Sequence, residues 1–167
     1  MQCGDVLCPF CLGLITVHGC HHRHILDEQG NRHDGFIAQG YCKPCSRYPS
    51  LIPDFILPHK HYEAAVIEAA VSEIEENGSM ELNSCHADDS TIRRWYNQFK
   101  ERGVRAAGWL LSILFDVYGK HISTVELQCK GLLRQLSHLL LAFQTPGTGG
   151  IFGRVNITLT KYNSGFL

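Results

Sequence analysis

The chain has 167 residues, of which 44% are hydrophobic and 19% are charged. This length suits one ordinary domain or two small ones, and the apolar fraction excludes a wholly disordered chain. Fifteen Lys and Arg residues against sixteen Asp and Glu residues give a formal net charge of -1, which excludes a uniformly basic nucleic-acid coat protein. Any binding of a polyanion must therefore be local.

The chain shows no secretory signal, and its longest apolar runs, 109–118 and 136–143, are too short to cross a bilayer. We therefore expect a cytoplasmic protein without a membrane partner. Since that compartment is reducing, paired cysteines indicate metal ligands before they indicate disulfides.

Residues 12–42 alternate short β-prone runs with turn signals. The β-prone runs lie at 14–17, 25–26 and 36–41, and a turn-forming run stands at 27–31. This pattern predicts a small antiparallel ribbon with a hairpin near Gly30.

Two Cys-x-x-Cys motifs flank this ribbon. They read Cys8-Pro-Phe-Cys11 and Cys42-Lys-Pro-Cys45. Zinc prefers four soft ligands in a tetrahedron, and two such turns at the ends of a hairpin can supply them. The motifs predict one Zn2+ ion held by Cys8, Cys11, Cys42 and Cys45. Four cysteines leave no position open for water, so we expect a structural ion whose binding stabilises a small domain.

Histidines are concentrated between the two motifs. Positions 18, 21, 22 and 24 are histidines, and Cys20 lies among them. Two interpretations of these side chains remain open. In the first they bind metal, either at a second site or as a ligand that replaces a cysteine in the first site. In the second they are exposed side chains along one face of the hairpin. Of the other cysteines, Cys3, Cys85 and Cys129 have no partner at ligand spacing, and Cys129 fits a helical core stripe.

The segment between 48 and 59 contains three prolines, which oppose a helix and favour an extended connector. From His61 the apolar period becomes helical, and Asn77-Gly78 ends the first helix. Further helices are predicted from the N-cap Ser90 to Gly103, from Val104 to Gly119, and from Ser123 to Phe143. The remaining residues offer one possible strand at 155–159.

The predicted fold is a small β zinc ribbon followed by an all-α helical domain that contains a helix-turn-helix. Its parts are a zinc ribbon over residues 1–47, an extended Pro-rich connector over 48–59, a helical domain over 60–144, and a Gly-rich tail over 145–167.

The helix-turn-helix is predicted over about 79–102, with a short first helix, a polar turn at 87–89 and an N-capped second helix. In that motif the exposed side chains of the second helix enter the major groove. Arg and Asn are among the residue types that read base edges. The predicted DNA contacts are Thr91, Arg93, Arg94, Asn97 and Lys100.

The distribution of charge favours DNA binding at this place. Residues 60–89 hold one Lys against eight acids, whereas 90–134 hold eight Lys and Arg residues against three acids. The nearly neutral net charge of the chain is therefore compatible with a basic region at 90–134. Asp88 and Asp89 oppose the hypothesis because they repel phosphates, and the alternative is the solvated face of an ordinary helical bundle.

Signatures of an enzyme are missing from the sequence. It contains no His-Glu-x-x-His motif, zinc-deaminase pattern, phosphate-binding loop or Gly-x-Ser-x-Gly turn. We therefore expect a protein without catalytic activity.

Four runs of residues together resemble a known family. They are Cys8-Pro-Phe-Cys11, Tyr41-Cys-Lys-Pro-Cys45, Leu51-Ile-Pro-Asp-Phe-Ile-Leu-Pro-His-Lys60 and Ser90-Thr-Ile-Arg-Arg-Trp95. The chain resembles a bacterial family of uncharacterised zinc-ribbon and helical proteins carried by mobile elements, and its first half is similar to the zinc-ribbon amino termini of insertion-sequence transposases. The likeness extends over residues 6 to 115. It implies that the four cysteines bind metal, that a helix-turn-helix follows, and that DNA binding serves a transposon.

The sequence thus predicts a zinc-stabilised DNA-binding protein, associated with a bacterial transposon or acting as a regulator. The alternative is a zinc-ribbon adaptor that binds another mobile-element protein or a second copy of itself. The acidic nuclease domain of transposases has no counterpart here, so we do not expect transposase activity.

Overall fold

The computed structural model describes residues 6–123, 127, 131–143 and 150–162. Within them, a three-stranded antiparallel sheet precedes four helices. The strands are β1 (Ile15–Leu26), β2 (Arg32–Cys42) and β3 (Ser50–Leu51), and the helices are α1 (Ala64–Asn77), α2 (Asp89–Tyr118), α3 (Leu132–Phe143) and α4 (Gly150–Lys161). The predicted order of a small β part followed by helices is confirmed.

Strands β1 and β2 form one long hairpin. Their pairing runs from Ile15 opposite Cys42 to Leu26 opposite Arg32, with one irregularity between Val17 and Gly19. Gly30, in the turn, has a φ of 78°, a conformation that glycine adopts without strain. The strands are longer than the β-prone runs because ladder hydrogen bonds extend through polar residues of low strand propensity.

The connector is bound to both parts of the protein. Ile56 packs with Ile25 and Ile37 of the hairpin, whereas the next residue, Leu57, is buried in the helical core. Arg23 of β1 donates a 2.9 Å hydrogen bond to the carbonyl of Leu57. The hairpin therefore lies directly against the helices.

Helix α1 follows the sequence prediction closely. Its buried face is the apolar stripe that includes Ile67, Val71 and Ile74. The helix ends at Asn77, and Gly78 caps it with a φ of 67°.

Helix α2 corrects two predictions. It continues through Gly103, where the sequence predicts a break between two helices. A Cβ atom at this position would lie 2.7 Å from Leu132 Cδ2, so the absence of a side chain at Gly103 allows α3 to pack closely against α2. Helix α2 also begins at Asp89 with Asp88 as the N-cap, two residues before the predicted N-cap Ser90. Gly119 ends it as predicted.

The predicted first helix of the helix-turn-helix does not form. Residues 79–88, all of which the structure describes, consist of turns and bends. Side chains hold this loop against α1: Asn83 donates to the carbonyl of Ala70, and Ser84 donates to Glu73. Because these polar contacts replace helical hydrogen bonds, the segment is a loop that precedes α2.

The C-terminal tail also differs from its prediction, since 155–159 belongs to a helix. Phe152, Val155 and Leu159 are buried on one side of α4. The carboxylate of Glu68 in α1 accepts hydrogen bonds from the N–H groups of Ile151 and Phe152, at 2.6 and 3.2 Å. This remote cap and the core contacts override the strand preference of the β-branched residues.

Helix α3 has a similar cap from α1. Glu75 accepts hydrogen bonds from the N–H groups of Leu132 and Leu133, at 3.1 and 3.0 Å. The single helix predicted over 123–143 is not continuous, because Gly131 is not helical and α3 begins at Leu132. Residues 124–126 and 128–130 of that prediction, with Glu126 and Cys129, lie outside the described residues. None of the described helices combines the length and apolar character needed to cross a membrane.

Candidate metal centre

The two Cys-x-x-Cys motifs fold into matching turns at the open end of the hairpin. In each turn, the N–H of the first cysteine donates to a carbonyl five residues later: Cys8 to Gly13 at 2.8 Å and Cys42 to Arg47 at 2.9 Å. The residue after each second cysteine has a positive φ, 60° at Leu12 and 54° at Ser46. The same backbone arrangement therefore presents both cysteine pairs.

These turns bring four sulfur atoms together. The Sγ atoms of Cys8 and Cys45 are 3.6 Å apart, those of Cys11 and Cys42 are 3.4 Å apart, and all four lie within 4.8 Å of one another. The distances exceed the S–S bond of a disulfide, about 2.05 Å. They approach the separation of about 3.8 Å that a tetrahedral ion with 2.3 Å bonds to sulfur imposes. The cysteine cluster is a possible metal site.

The environment of the thiols opposes their joint ionisation in the absence of a cation. Burial raises the pKa of Cys42 to about 12 and also raises the pKa of Cys45. Burial acts in the same direction at Cys8, but hydrogen bonds from the backbone N–H groups of Phe10 and Cys11 prevail and lower its pKa to about 7. Four thiolates at these distances therefore require a positive charge between them.

Side chains beside the sulfurs connect the two turns. The guanidinium of Arg47, which follows the second motif, lies 4.3 Å from the ring centroid of Phe10 in the first. Cys8 and Cys42 are fully buried, whereas Cys11 is exposed. The cluster is thus closed on one side and reaches solvent on the other.

The histidines between the motifs lie in different surroundings. His18 contacts the rings of Tyr41 and Tyr48, with centroids 6.3 and 5.3 Å away. His22 and His24 come together with Asp34 as a second possible ligand group on the outer face of the hairpin. Cys20 is exposed and belongs to neither group. Among the residues that the structure describes, the sulfur cluster consists of the four cysteines without a histidine.

His33 has a structural role at the hairpin turn. Its Nε2 lies 2.6 Å from Asp27 Oδ2, and Asp27 also accepts from the backbone N–H groups of Gln29 and Asn31. These hydrogen bonds, with that of His33 the strongest influence, lower the pKa of Asp27 to about 2. The same carboxylate raises the pKa of His33. The charged pair of Asp27 and His33 therefore stabilises the turn at pH values above the ordinary pKa of Asp and below the raised pKa of His33.

The predicted DNA-contacting residues lie in the first three turns of α2. Arg93, Arg94, Asn97 and Lys100 are exposed, and Thr91 is half-buried. The opposite face is buried through Ile92, Trp95 and Phe99, as the spacing predicts. The helix therefore presents these polar side chains on a continuous outer surface.

A basic neighbour of this surface was not evident from the sequence. Lys60 of the connector lies against α2, where its ammonium group donates to the side chain of Gln98. Burial lowers the pKa of Lys60, and the positive charges of Arg94 and Arg102 lower it further. The separation of 34 residues between Lys60 and Arg94 explains why no local pattern reveals this group.

Comparison with known proteins places these features in a family. No curated protein and no solved structure matches the chain. One family model, described as a domain of unknown function (DUF6431), matches residues 8–95. The match begins at the first cysteine of the cluster and ends at Trp95, so it includes all four clustered cysteines, the connector and the start of α2. Since it spans more than half of the sequence, the chain belongs to the DUF6431 family.

Proposed function

We propose that this chain is a zinc-stabilised DNA-binding protein, in which the sulfur cluster is structural and the N-terminal part of α2 contacts DNA. By its resemblance to zinc-ribbon proteins of mobile elements, it would act for a bacterial transposon or as a regulator. The basic surface formed by the exposed Arg and Lys side chains of α2, with half-buried Lys60 beside them, is the observation that carries the proposal.

Zinc is the ion that suits the sulfur cluster best. Four cysteine thiolates in a closed tetrahedral arrangement are typical of structural zinc sites. In the described part of the chain, the apolar cluster of the hairpin has three buried residues, Ile25 and Ile37 of the strands and Ile56 of the connector. So small a core stabilises little, and the metal supplies the missing stability.

The basic surface supports contact with phosphates and bases. Arg93, Arg94 and Lys100 project from one side of α2, and Lys60 and Arg102 add charge beside them. Asp88 and Asp89 are exposed at the start of the helix and repel phosphates there. We therefore expect α2 to approach DNA with its side and not with its N-terminus. This mode of contact does not need a compact helix-turn-helix.

A titration of the zinc-loaded full chain against a random-sequence DNA duplex tests the proposal. The double variant Arg93→Ala and Arg94→Ala should bind at least about tenfold more weakly. It should also reduce the slope of log affinity against log salt by about 1.8, since each phosphate contact contributes about 0.9. The measurement is fluorescence anisotropy at several salt concentrations.

Arg134→Ala is the matched control, because Arg134 is an exposed arginine of α3 whose side chain is 3.8 Å from Glu76. Its affinity and salt slope should equal those of the unmodified protein. The proposal fails if the double variant behaves like Arg134→Ala, or if the unmodified chain does not bind duplexes of any sequence.

The second candidate function is a protein-interaction module, and the exposed apolar side chains of the ribbon favour it. Leu7, Phe10, Leu12 and Leu14 are each more than half exposed. Such a patch beside a rigid metal site suits a protein partner or a second copy of the chain. A solution mass that rises with protein concentration, without DNA binding, would support this function over the first.

A further inference from the structure

The outer face of the hairpin carries a group of side chains that neither proposed function uses. Along β1, His22 and His24 alternate with Arg23 and Ile25. Ile25 is buried and Arg23 bonds to the connector, so these two face inward. Because side chains two positions apart share a face, both histidines project outward.

The strand pairing adds a carboxylate to the two imidazoles. Asp34 of β2 is the register partner of His24, so the two side chains lie side by side on the outer face. His22 is paired with Phe36, one step farther along the same face. The hairpin register thus assembles His22, His24 and Asp34 from residues separated by up to 12 positions in sequence.

The distances within this group suit a single ion. Asp34 Oδ1 lies 2.5 Å from His24 Nδ1 and 3.6 Å from His22 Nε2, and the three ligand atoms lie within 4.8 Å of one another. Bonds of about 2.0–2.2 Å to a transition metal separate neighbouring ligand atoms by about 3.0–3.5 Å. A small rotation of exposed side chains would reach that geometry.

We propose that His22, His24 and Asp34 form a second metal site, which binds a first-row divalent transition ion with open coordination positions. Two imidazoles and one carboxylate are ligands that zinc, iron, nickel and copper accept, unlike the four thiolates of the first site. Water or a donor group of a partner would complete the coordination. This inference does not depend on DNA binding.

The two sites are too far apart to share an ion. Ile15, at the start of β1, pairs with Cys42 of the sulfur cluster. His24 follows Ile15 by nine strand positions, which corresponds to about 30 Å at 3.3 Å per residue. Each site would therefore bind its own metal.

Arg32 competes with a metal for this site. Its Nη2 lies 2.6 Å from His24 Nε2, and its Nε lies 3.5 Å from Asp34 Oδ1. When a metal binds Nδ1 of His24, the imidazole carries its proton on Nε2, and Arg32 can no longer donate to that atom. Removal of the guanidinium should therefore strengthen metal binding.

Zinc titration of the full chain, with zinc as the only metal, tests the site. The unmodified protein should bind two zinc ions, one tightly and one more weakly. The double variant His22→Ala and His24→Ala should bind one, and Asp34→Ala should weaken the second ion by more than about tenfold. Arg32→Ala should bind the second ion more tightly than the unmodified chain.

His21→Ala is the matched control, because His21 is the neighbouring histidine on the opposite face, opposite Ile37. It should retain both ions. Cobalt(II) bound to the thiolates gives a sulfur-to-metal absorption band, and its persistence in every variant would show that the first site is intact. One zinc in the unmodified chain, loss of the second ion from His21→Ala, or a weaker second ion in Arg32→Ala would overturn the proposal.

Discussion

The two residues that follow the cysteine pairs hold an unusual backbone conformation. Leu12 and Ser46 have φ values of 60° and 54°, in the left-handed region where a Cβ atom meets the adjacent carbonyl. Glycine adopts this region without that contact. The matching conformation in both turns indicates that the geometry around the sulfurs, and not the preference of the local residues, sets the backbone here.

We predict that Ser46→Gly stabilises the metal-loaded protein. The substitution removes the steric cost of the left-handed conformation, and we expect the free energy of unfolding to rise by about 1 kcal/mol. Lys43→Gly, in the same turn but at a residue without a positive φ, should bring no gain and should lower stability through chain entropy. Chemical denaturation with zinc present measures both. Equal effects of the two variants would contradict the prediction.

Among the elements, α1 organises the helical part through its polar side as well as its apolar one. Its carboxylates at positions 68 and 75 accept the free N–H groups at the starts of α4 and α3. Two positions that the amphipathic pattern assigns to solvent therefore fix where two later helices begin. Acidic side chains at helix N-termini also interact favourably with the helix dipole.

We predict that Glu75→Ala destabilises the protein by about 1–2 kcal/mol, because two N–H groups of α3 lose their acceptor. Glu75→Gln should cost less, since the amide oxygen retains one acceptor. Glu76→Ala is the control, and its effect should stay within about 0.5 kcal/mol because Glu76 is exposed. Thermal unfolding measures all three. A cost of Glu76→Ala equal to that of Glu75→Ala would show that general charge, and not capping, is responsible.

For the protein as a whole, the sizes of the two apolar clusters differ greatly. The hairpin cluster consists of three buried residues, whereas the helical cluster joins residues from all four helices and the connector. A core of three side chains cannot offset the entropy lost by ordering a hairpin of this length. We therefore expect the metal to matter for the hairpin far more than for the helices.

We predict that a strong chelator unfolds the hairpin while the helices remain. Both tryptophans of the chain, Trp95 and Trp109, lie in α2, and Trp95 is buried against Tyr62. Tryptophan emission should therefore stay nearly constant, while amide hydrogen exchange accelerates in β1 and β2. The readout is fluorescence and exchange before and after chelation, with added zinc restoring protection. A large red shift of the emission would show that the helical core also depends on the metal.

Local patterns predicted much of the fold and of the candidate metal site. The Cys-x-x-Cys motifs identified the four sulfurs that come together, because two residues in a tight turn must lie close whatever the rest of the chain does. The hairpin turn at Gly30, the end of α1 at Gly78 and the buried stripe from Ile92 to Phe99 also follow from short-range backbone and burial preferences.

Contacts between distant residues decided the rest. Gly103 lies inside α2, where the absence of a side chain leaves room for Leu132. The tail is helical where Glu68 caps its N–H groups and its apolar side chains pack in the core. Likewise, His22 and His24 meet Asp34 through strand register, and Lys60 meets Arg94 through packing of the connector. A sequence pattern encodes the preference of a segment for one conformation. Only packing across the chain supplies the cap, the close approach or the neighbouring charge that overrides or completes that preference.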